Sequence, residues 1–241
     1  MVKPGRIVAD PARERLGTPA TIVTAIRTTA SIVLAVVAVS QDSKTLLVIA
    51  LLVHWVGDSL DGQVARWFDC ETRTGAVLDI MCDRLCAAAF YIGLAWLEPG
   101  LAPAIFVYLA EFMVVDSFLS IAFLAWPITS PNYFYVIDRK LWLLNWSHPG
   151  KAVNSGLFAI LLLVTGWMEV GLAIAVVLLV HKSISLVKMM RLGLPISDAP
   201  LPYLEDAERQ FGMDLGSGSF ASDDPGAEPG PPTGVTHPVR R

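Results

Sequence analysis

Six apolar stretches, each close to the ~20 residues needed to cross ~30 Å of hydrocarbon, run through this chain at 19–40, 44–66, 75–97, 102–126, 152–168 and 170–190. They predict an all-α, polytopic membrane protein with six transmembrane helices. Composition agrees, because 54% of the residues are hydrophobic and 17% are charged, against ~25% charged in a soluble domain. The net charge of −4 is no basic excess, so nucleic acid is not an implied partner.

Short polar breaks separate the stretches: Gln41-Asp42-Ser43, 67–74, Glu98-Pro99-Gly100, the longer 127–151, and Met168-Glu169. The opening MVKPGRIVADPARERL carries Lys3, Arg6, Arg13 and Arg15 and lacks the apolar run of a signal peptide, so the N-terminus is expected in the cytoplasm. Counting from there, 67–74, 127–151 and everything after 190 fall inside. Those segments and their helix ends hold Arg66, Arg73, Arg139, Lys140, Lys151, Lys188 and Arg191, whereas the outside loops hold Lys44 alone. That bias follows the positive-inside rule. Both termini are therefore expected in the cytoplasm, with the protein multi-pass in the cell membrane.

Three regions result. Residues 1–18 form an N-terminal cytoplasmic or interfacial segment, with Ile7, Val8 and Leu16 interleaved among arginines as in a short amphipathic surface helix. Residues 19–194 form the six-helix membrane domain. Residues 195–241, rich in Gly, Pro, Ser and Asp, cannot bury enough apolar surface to offset their ordering entropy and read as a disordered cytoplasmic tail. Cys70, Cys82 and Cys86 are too few for a disulfide framework and read as small core residues.

The chemistry concentrates in GDSLDGQVARWFDCETRTGAVLDIMCDR, residues 57–84, where four carboxylates lie at or inside membrane spans. A charge at membrane depth costs at least ~2.5–3.5 kcal/mol, which makes such a cluster a functional hypothesis by default. Asp58 and Asp61 are three apart and Asp79 and Asp83 four apart, so each pair projects from one helix face. The connection between them is short, so the two helices are antiparallel neighbours. At ~1.5 Å per residue Asp58 lies about 12 Å above Arg66, and Asp83 lies as far beyond Gly75. Four carboxylates at one depth repel one another unless cations neutralise them. Hard divalent ions fit, and paired ions can hold the attacking and leaving oxygens of a phosphoryl displacement. The site therefore points to phosphate chemistry at the cytoplasmic interface. Gly62, beside Asp61, leaves room for a nucleotide or metal to approach the backbone, although a helix-packing contact accounts for a lone glycine equally well.

Asp58-x-x-Asp61-Gly62-x-x-Ala65-Arg66, eight residues, Gly75, three residues, Asp79, three residues, Asp83 resembles the complete signature of the CDP-alcohol phosphatidyltransferase family. PATIVTAIR at 19–27 is similar to that family's lead-in to its first span. The resemblance implies transfer of a substituted phosphate from a CDP-linked donor, commonly CDP-diacylglycerol, to an alcohol acceptor, with release of CMP. It implies that Asp58, Asp61, Asp79 and Asp83 bind Mg²⁺ or Mn²⁺, and that Asp83 is also the catalytic base. It further implies that Asp58, Gly62, Ala65 and Arg66 contact the nucleotide, with Thr72 added from the loop, and that the enzyme is a homodimer.

For the acceptor, Gly150-Lys151-Ala152-Val153-Asn154-Ser155 is similar to a segment before the fifth span in the phosphatidylglycerophosphate and cardiolipin synthase branches, which places Lys151 on an acceptor phosphate. A positive-inside anchor explains Lys151 as well. Arg84, directly after the last aspartate, is closer to the inositol-phosphate and archaeal ether-lipid branches. Arg27 faces the acceptor in this reading, with a helix-helix pair as the alternative, and His54 is a satisfied core histidine. Glycerol 3-phosphate is the expected acceptor, with inositol phosphate or phosphatidylglycerol as rivals, the latter two making the enzyme a phosphatidylinositol phosphate synthase or a cardiolipin synthase. The non-enzymatic alternative is a small cation transporter, since clustered membrane carboxylates also bind translocated ions. Trp67, Trp96, Trp126 and Trp167 lie near span ends, as an aromatic belt requires.

Overall fold

The computed structural model describes residues 7–193; residues 1–6 and the 195–241 segment expected to be disordered lie outside the described residues. Helices α1 (Pro19–Ser40), α2 (Lys44–Trp67) and α3 (Arg73–Leu97) pack against one another in a single group. Each start is written in the sequence as a hydroxyl N-cap. Thr18 accepts from Thr21 N at 3.1 Å, Ser43 from Leu46 N at 3.3 Å and Thr72 from Gly75 N at 3.0 Å, satisfying amide groups that a helix end leaves unpaired. Three residues suffice to reverse the chain between α1 and α2, with Asp42 at φ 48°, and Asp69 at φ 51° does the same ahead of α3. Small residues, Ala35, Ala38 and Ala50, line the α1–α2 seam. They let the backbones approach until Ser31 Oγ donates to Ala50 O at 2.9 Å.

The second half is less regular. The segment Pro99–Ala125 is one apolar run in which α4 (Ala102–Ala110) passes through a π-helical turn, Glu111–Asp116, into α5 (Ser117–Ile121). Two side chains five apart on an α-helix point ~140° away from each other, whereas π winding brings them to the same side. Glu111 and Asp116 are accordingly both buried. Short helices α6 (Arg139–Asn145) and α7 (His148–Lys151) follow, then a second π turn, Ala152–Leu157, then α8 (Phe158–Thr165) and α9 (Met168–Arg191). The main core joins both halves through Phe90, Tyr91, Tyr108 and Phe158, with the Tyr108 and Phe158 rings stacked at 4.1 Å.

Among the described residues, five helical segments are long and apolar enough to cross a membrane: Pro19–Ser40, Lys44–Trp67, Arg73–Leu97, Pro99–Ala125 and Met168–Arg191. The stretch expected as the fifth of six spans is not among them. It begins with the π turn, continues in an α8 of 8 residues and ends at Gly166, whose φ of 63° turns the chain.

Two expectations near the membrane surface change. Residues 7–18 contain one short 3-10 turn, Pro11–Arg13, in place of an amphipathic helix. Their backbone is taken by residues 127–129 instead: Ala9 N donates to Pro127 O at 3.1 Å and Thr129 N to Ile7 O at 2.9 Å. Trp126, expected in an interfacial belt, is only 8% exposed. The 127–146 segment folds back over it, packing Phe134 edge-on at 5.1 Å. Trp67, Trp96 and Trp167 are exposed as expected, and Cys70 and Cys86 are buried.

Candidate active site

The turn at 68–72 sends α3 back along α2, and carboxylate oxygens of Asp58, Asp61 and Asp79 lie within 4.8 Å of one another. That separation suits ligands of one divalent ion at about 2.0–2.6 Å each. Asp83 joins them through a residue of α1. Arg27, only 4% exposed, donates from Nε to Asp61 Oδ2 at 2.5 Å, and from Nη2 to Asp79 Oδ1 at 2.5 Å and Asp83 Oδ1 at 2.8 Å. Asp58 Oδ1 lies 3.9 Å from the same Nη2. One guanidinium thus faces four carboxylates, and their excess of negative oxygen donors fits a hard divalent cation in both charge and hardness.

Arg27 reaches this position because Thr24, Arg27, Thr28 and Ser31 form the buried stripe of α1, at the spacing of one helix face. Thr24 Oγ1 donates to Asp61 Oδ2 at 2.9 Å. Nη1 of Arg27 lies 3.0 Å from His54 Nδ1, and since a guanidinium only donates, that nitrogen accepts. His54 is thus a satisfied buried histidine. Arg27, expected toward the acceptor, is buried among the carboxylates. Gly57 makes this possible, because a β-carbon there would lie 2.5 Å from Arg27 Cβ. The reading of the sequence missed Gly57; its signal was a second glycine one residue before the first aspartate.

Two clefts open on either side of the cluster. The first, of about 90 Å³, is lined by Asp61, Gly62, Ala65, Arg66 and Thr72, which gathers all but Asp58 of the expected nucleotide residues. The Arg66 guanidinium folds over Gly62, where a β-carbon would sit 3.3 Å from Nη1. Thr72 has its hydroxyl committed to the α3 cap. The second cleft, of about 180 Å³, is lined by His54, Asp58, Asp83, Arg84, Lys151 and Lys182. Lys151, at the end of α7, is exposed there. Ala76, Asp79, Ser130 and Asn132 line both clefts.

One wall of the second cleft is a buried charge cluster whose members the sequence displays separately. Asp116 accepts from Arg84 Nη2 and from Lys182 Nζ. Arg84 also donates to Ser117 Oγ at 3.0 Å and Ser120 Oγ at 3.2 Å, with its guanidinium carbon 3.9 Å over the Phe112 ring. The π turn is what delivers Asp116 to this wall.

The family model described as CDP-alcohol phosphatidyltransferase matches residues 18–181. No curated protein and no solved structure matches the chain. The matched residues run from the cap of α1 into α9, well over half of the sequence, and contain the carboxylate cluster, the first cleft and all of the second cleft's lining but Lys182. The chain belongs to the CDP-alcohol phosphatidyltransferase family, phosphotransferases of phospholipid biosynthesis that move a substituted phosphate from a CDP-alcohol to an alcohol acceptor.

Proposed function

We propose that this protein transfers a phosphatidyl group from CDP-diacylglycerol to the hydroxyl of a phosphorylated polyol, glycerol 3-phosphate first among the candidates, and releases CMP. The observation that carries this is the pair of clefts meeting at Asp79, one lined by the small residues and arginine of the signature and the other by Asp83 and three cations. A donor nucleotide in the first cleft and an anionic acceptor in the second meet over the carboxylates.

In this reading Gly62 and Ala65 admit the nucleotide, Arg66 pairs with its phosphate, and Asp58 and Thr72 border it. Asp58, Asp61, Asp79 and Asp83 would hold Mg²⁺ or Mn²⁺, which when bound screens the diphosphate and the charge that develops on it. Asp83 takes the proton of the acceptor hydroxyl. The acceptor oxygen forms its bond to the lipid-linked phosphorus as the bond to the bridging oxygen breaks, and the electron pair leaves with CMP. Lys151, with Arg84 and Lys182 behind it, favours an acceptor that carries a phosphate. Arg27 balances the carboxylates and holds their geometry, a role that its burial supports better than acceptor contact.

For topology we propose six crossings, both termini in the cytoplasm, the active site facing the cytoplasm of a cell membrane, and a homodimeric enzyme. Residues 148–165 are helical without a break, and in this reading they supply the remaining crossing, although they are not among the five segments long and apolar enough to span by themselves. The distribution of lysine and arginine supports the orientation. The test is CMP release from CDP-diacylglycerol by purified protein with Mg²⁺ or Mn²⁺, offering glycerol 3-phosphate, inositol phosphate and phosphatidylglycerol separately, beside Asp83→Asn. Acceptor-dependent release that vanishes in the variant supports the reading and names the acceptor. No release with any acceptor, together with metal-ion flux in vesicles, would instead favour a transporter.

A further inference from the structure

Ser130 sits at the N-cap of the 3-10 turn Pro131–Val136, with extended backbone, φ −156° and ψ 163°. A serine there ordinarily turns its hydroxyl onto an amide of the first turn. Here it makes no capping bond. Its Oγ is buried without a hydrogen-bond partner, in a residue only 9% exposed. An unpaired buried hydroxyl costs about 1–3 kcal/mol, so its retention calls for a ligand.

The hydroxyl's position says which one. Ser130 is one of four residues lining both clefts, and the others include Asp79 of the carboxylate cluster. Ser130 and Asp79 therefore both border the place where the two clefts meet, and the group that donor and acceptor share there in the proposed reaction is the phosphoryl being transferred.

The segment is also held firmly. On one side Thr129 N donates to Ile7 O at 2.9 Å, and on the other Tyr133 N donates to Ser130 O at 3.1 Å. The Tyr133 hydroxyl donates to Glu71 Oε2 at 2.8 Å, tying the turn to the loop between α2 and α3. A donor fixed on a rigid backbone is what stabilisation of developing phosphoryl charge requires, since it reorganises little during the reaction.

We infer that Ser130 Oγ is a catalytic hydrogen-bond donor to the transferred phosphoryl group, a role outside the family signature quoted above. The inference rests on the transferase reading. As the acceptor oxygen bonds to phosphorus and CMP departs with the bridging electron pair, the hydroxyl keeps its proton and holds a non-bridging oxygen of the phosphoryl group.

The experiment compares wild type, Ser130→Ala and Ser130→Thr, all full-length in lipid nanodiscs with Mg²⁺, measuring binding of CDP and of CMP and the rate of CMP release from CDP-diacylglycerol. CDP carries the second phosphate and CMP lacks it. The alanine variant should bind CDP about tenfold more weakly, hold CMP within about twofold, and lose at least about tenfold in kcat, as expected for removing one bond to a charged group. Threonine, which keeps the hydroxyl, should restore the CDP preference. An unchanged CDP-to-CMP ratio in the alanine variant overturns the inference while wild-type turnover leaves the transferase reading standing. Equal losses for both nucleotides in both variants, with a lowered melting temperature, also overturn it, since the hydroxyl would then be structural. If wild type neither binds a cytidine nucleotide nor releases CMP, both readings fall.

Discussion

Gly57 and Arg27 touch so closely that a β-carbon on residue 57 would lie 2.5 Å from Arg27 Cβ and 2.6 Å from Arg27 Cδ. The aspartates of α2 and α3 therefore depend on α1, because the guanidinium that pairs with Asp61, Asp79 and Asp83 can enter only where α2 lacks a side chain.

Gly57→Ala should push Arg27 out of its bed. Overpacking of this kind costs about 1–3 kcal/mol, read as a lowered melting temperature in detergent, and CMP release should fall with it. A variant as stable and active as wild type would mean that the two helices separate without penalty.

Arg27→Gln removes a positive charge from the midst of the carboxylates. Unit charges 4 Å apart interact by ~4 kcal/mol at an effective dielectric of 20, so affinity for Mn²⁺ should rise at least about tenfold. Turnover should drop, because the carboxylates lose the group that aligns them. Titration calorimetry separates the two effects, and weaker Mn²⁺ binding in the variant would contradict the charge-balancing role.

Asp116→Asn leaves Arg84 and Lys182 buried against each other without their shared carboxylate. Breaking a buried pair in this way costs about 3–5 kcal/mol. Adding Lys182→Met should recover part of the loss, since one stranded cation is removed. A double variant less stable than Asp116→Asn alone would show that Lys182 has another partner.

Glu14 caps α3 from outside the membrane, its Oε1 accepting from Arg73 N at 2.8 Å and its Oε2 from Thr74 N at 3.0 Å. Burial raises its pKa, but the hydrogen bonds from Thr74 and Arg73 prevail and hold it below the ordinary 4.5. A lowered folded pKa contributes stability that is present above the unfolded value and fades as pH falls through the folded one. The melting-temperature advantage of wild type over Glu14→Gln should be complete near neutral pH and fade progressively as pH falls below 4.5. An advantage that grows on acidification would reverse the sign of this linkage.

The first three helices were legible from residues alone, because their starts are local: a hydroxyl cap, a run of apolar residues and a short polar break are all neighbours in the chain. The four aspartates were legible for the same reason, since helical spacing places each pair on one face before any packing is known. The second half was harder to read. Its two π turns leave no mark in hydropathy, and one opens the fifth expected span while the other redirects Asp116.

Periodicity and charge in the sequence thus settle the membrane character, the helical architecture and the carboxylate pairs, because each arises from interactions within a turn or two of helix. Packing between distant segments settles the rest. It brings Arg27 from α1 to the aspartates across 34 to 56 residues, joins Arg84 and Lys182 through Asp116, and clamps residues 7–9 over 127–129 so that Ser130 stands between two clefts. No local propensity encodes those contacts, since each depends on which helix faces meet when apolar surface and buried charge are satisfied together.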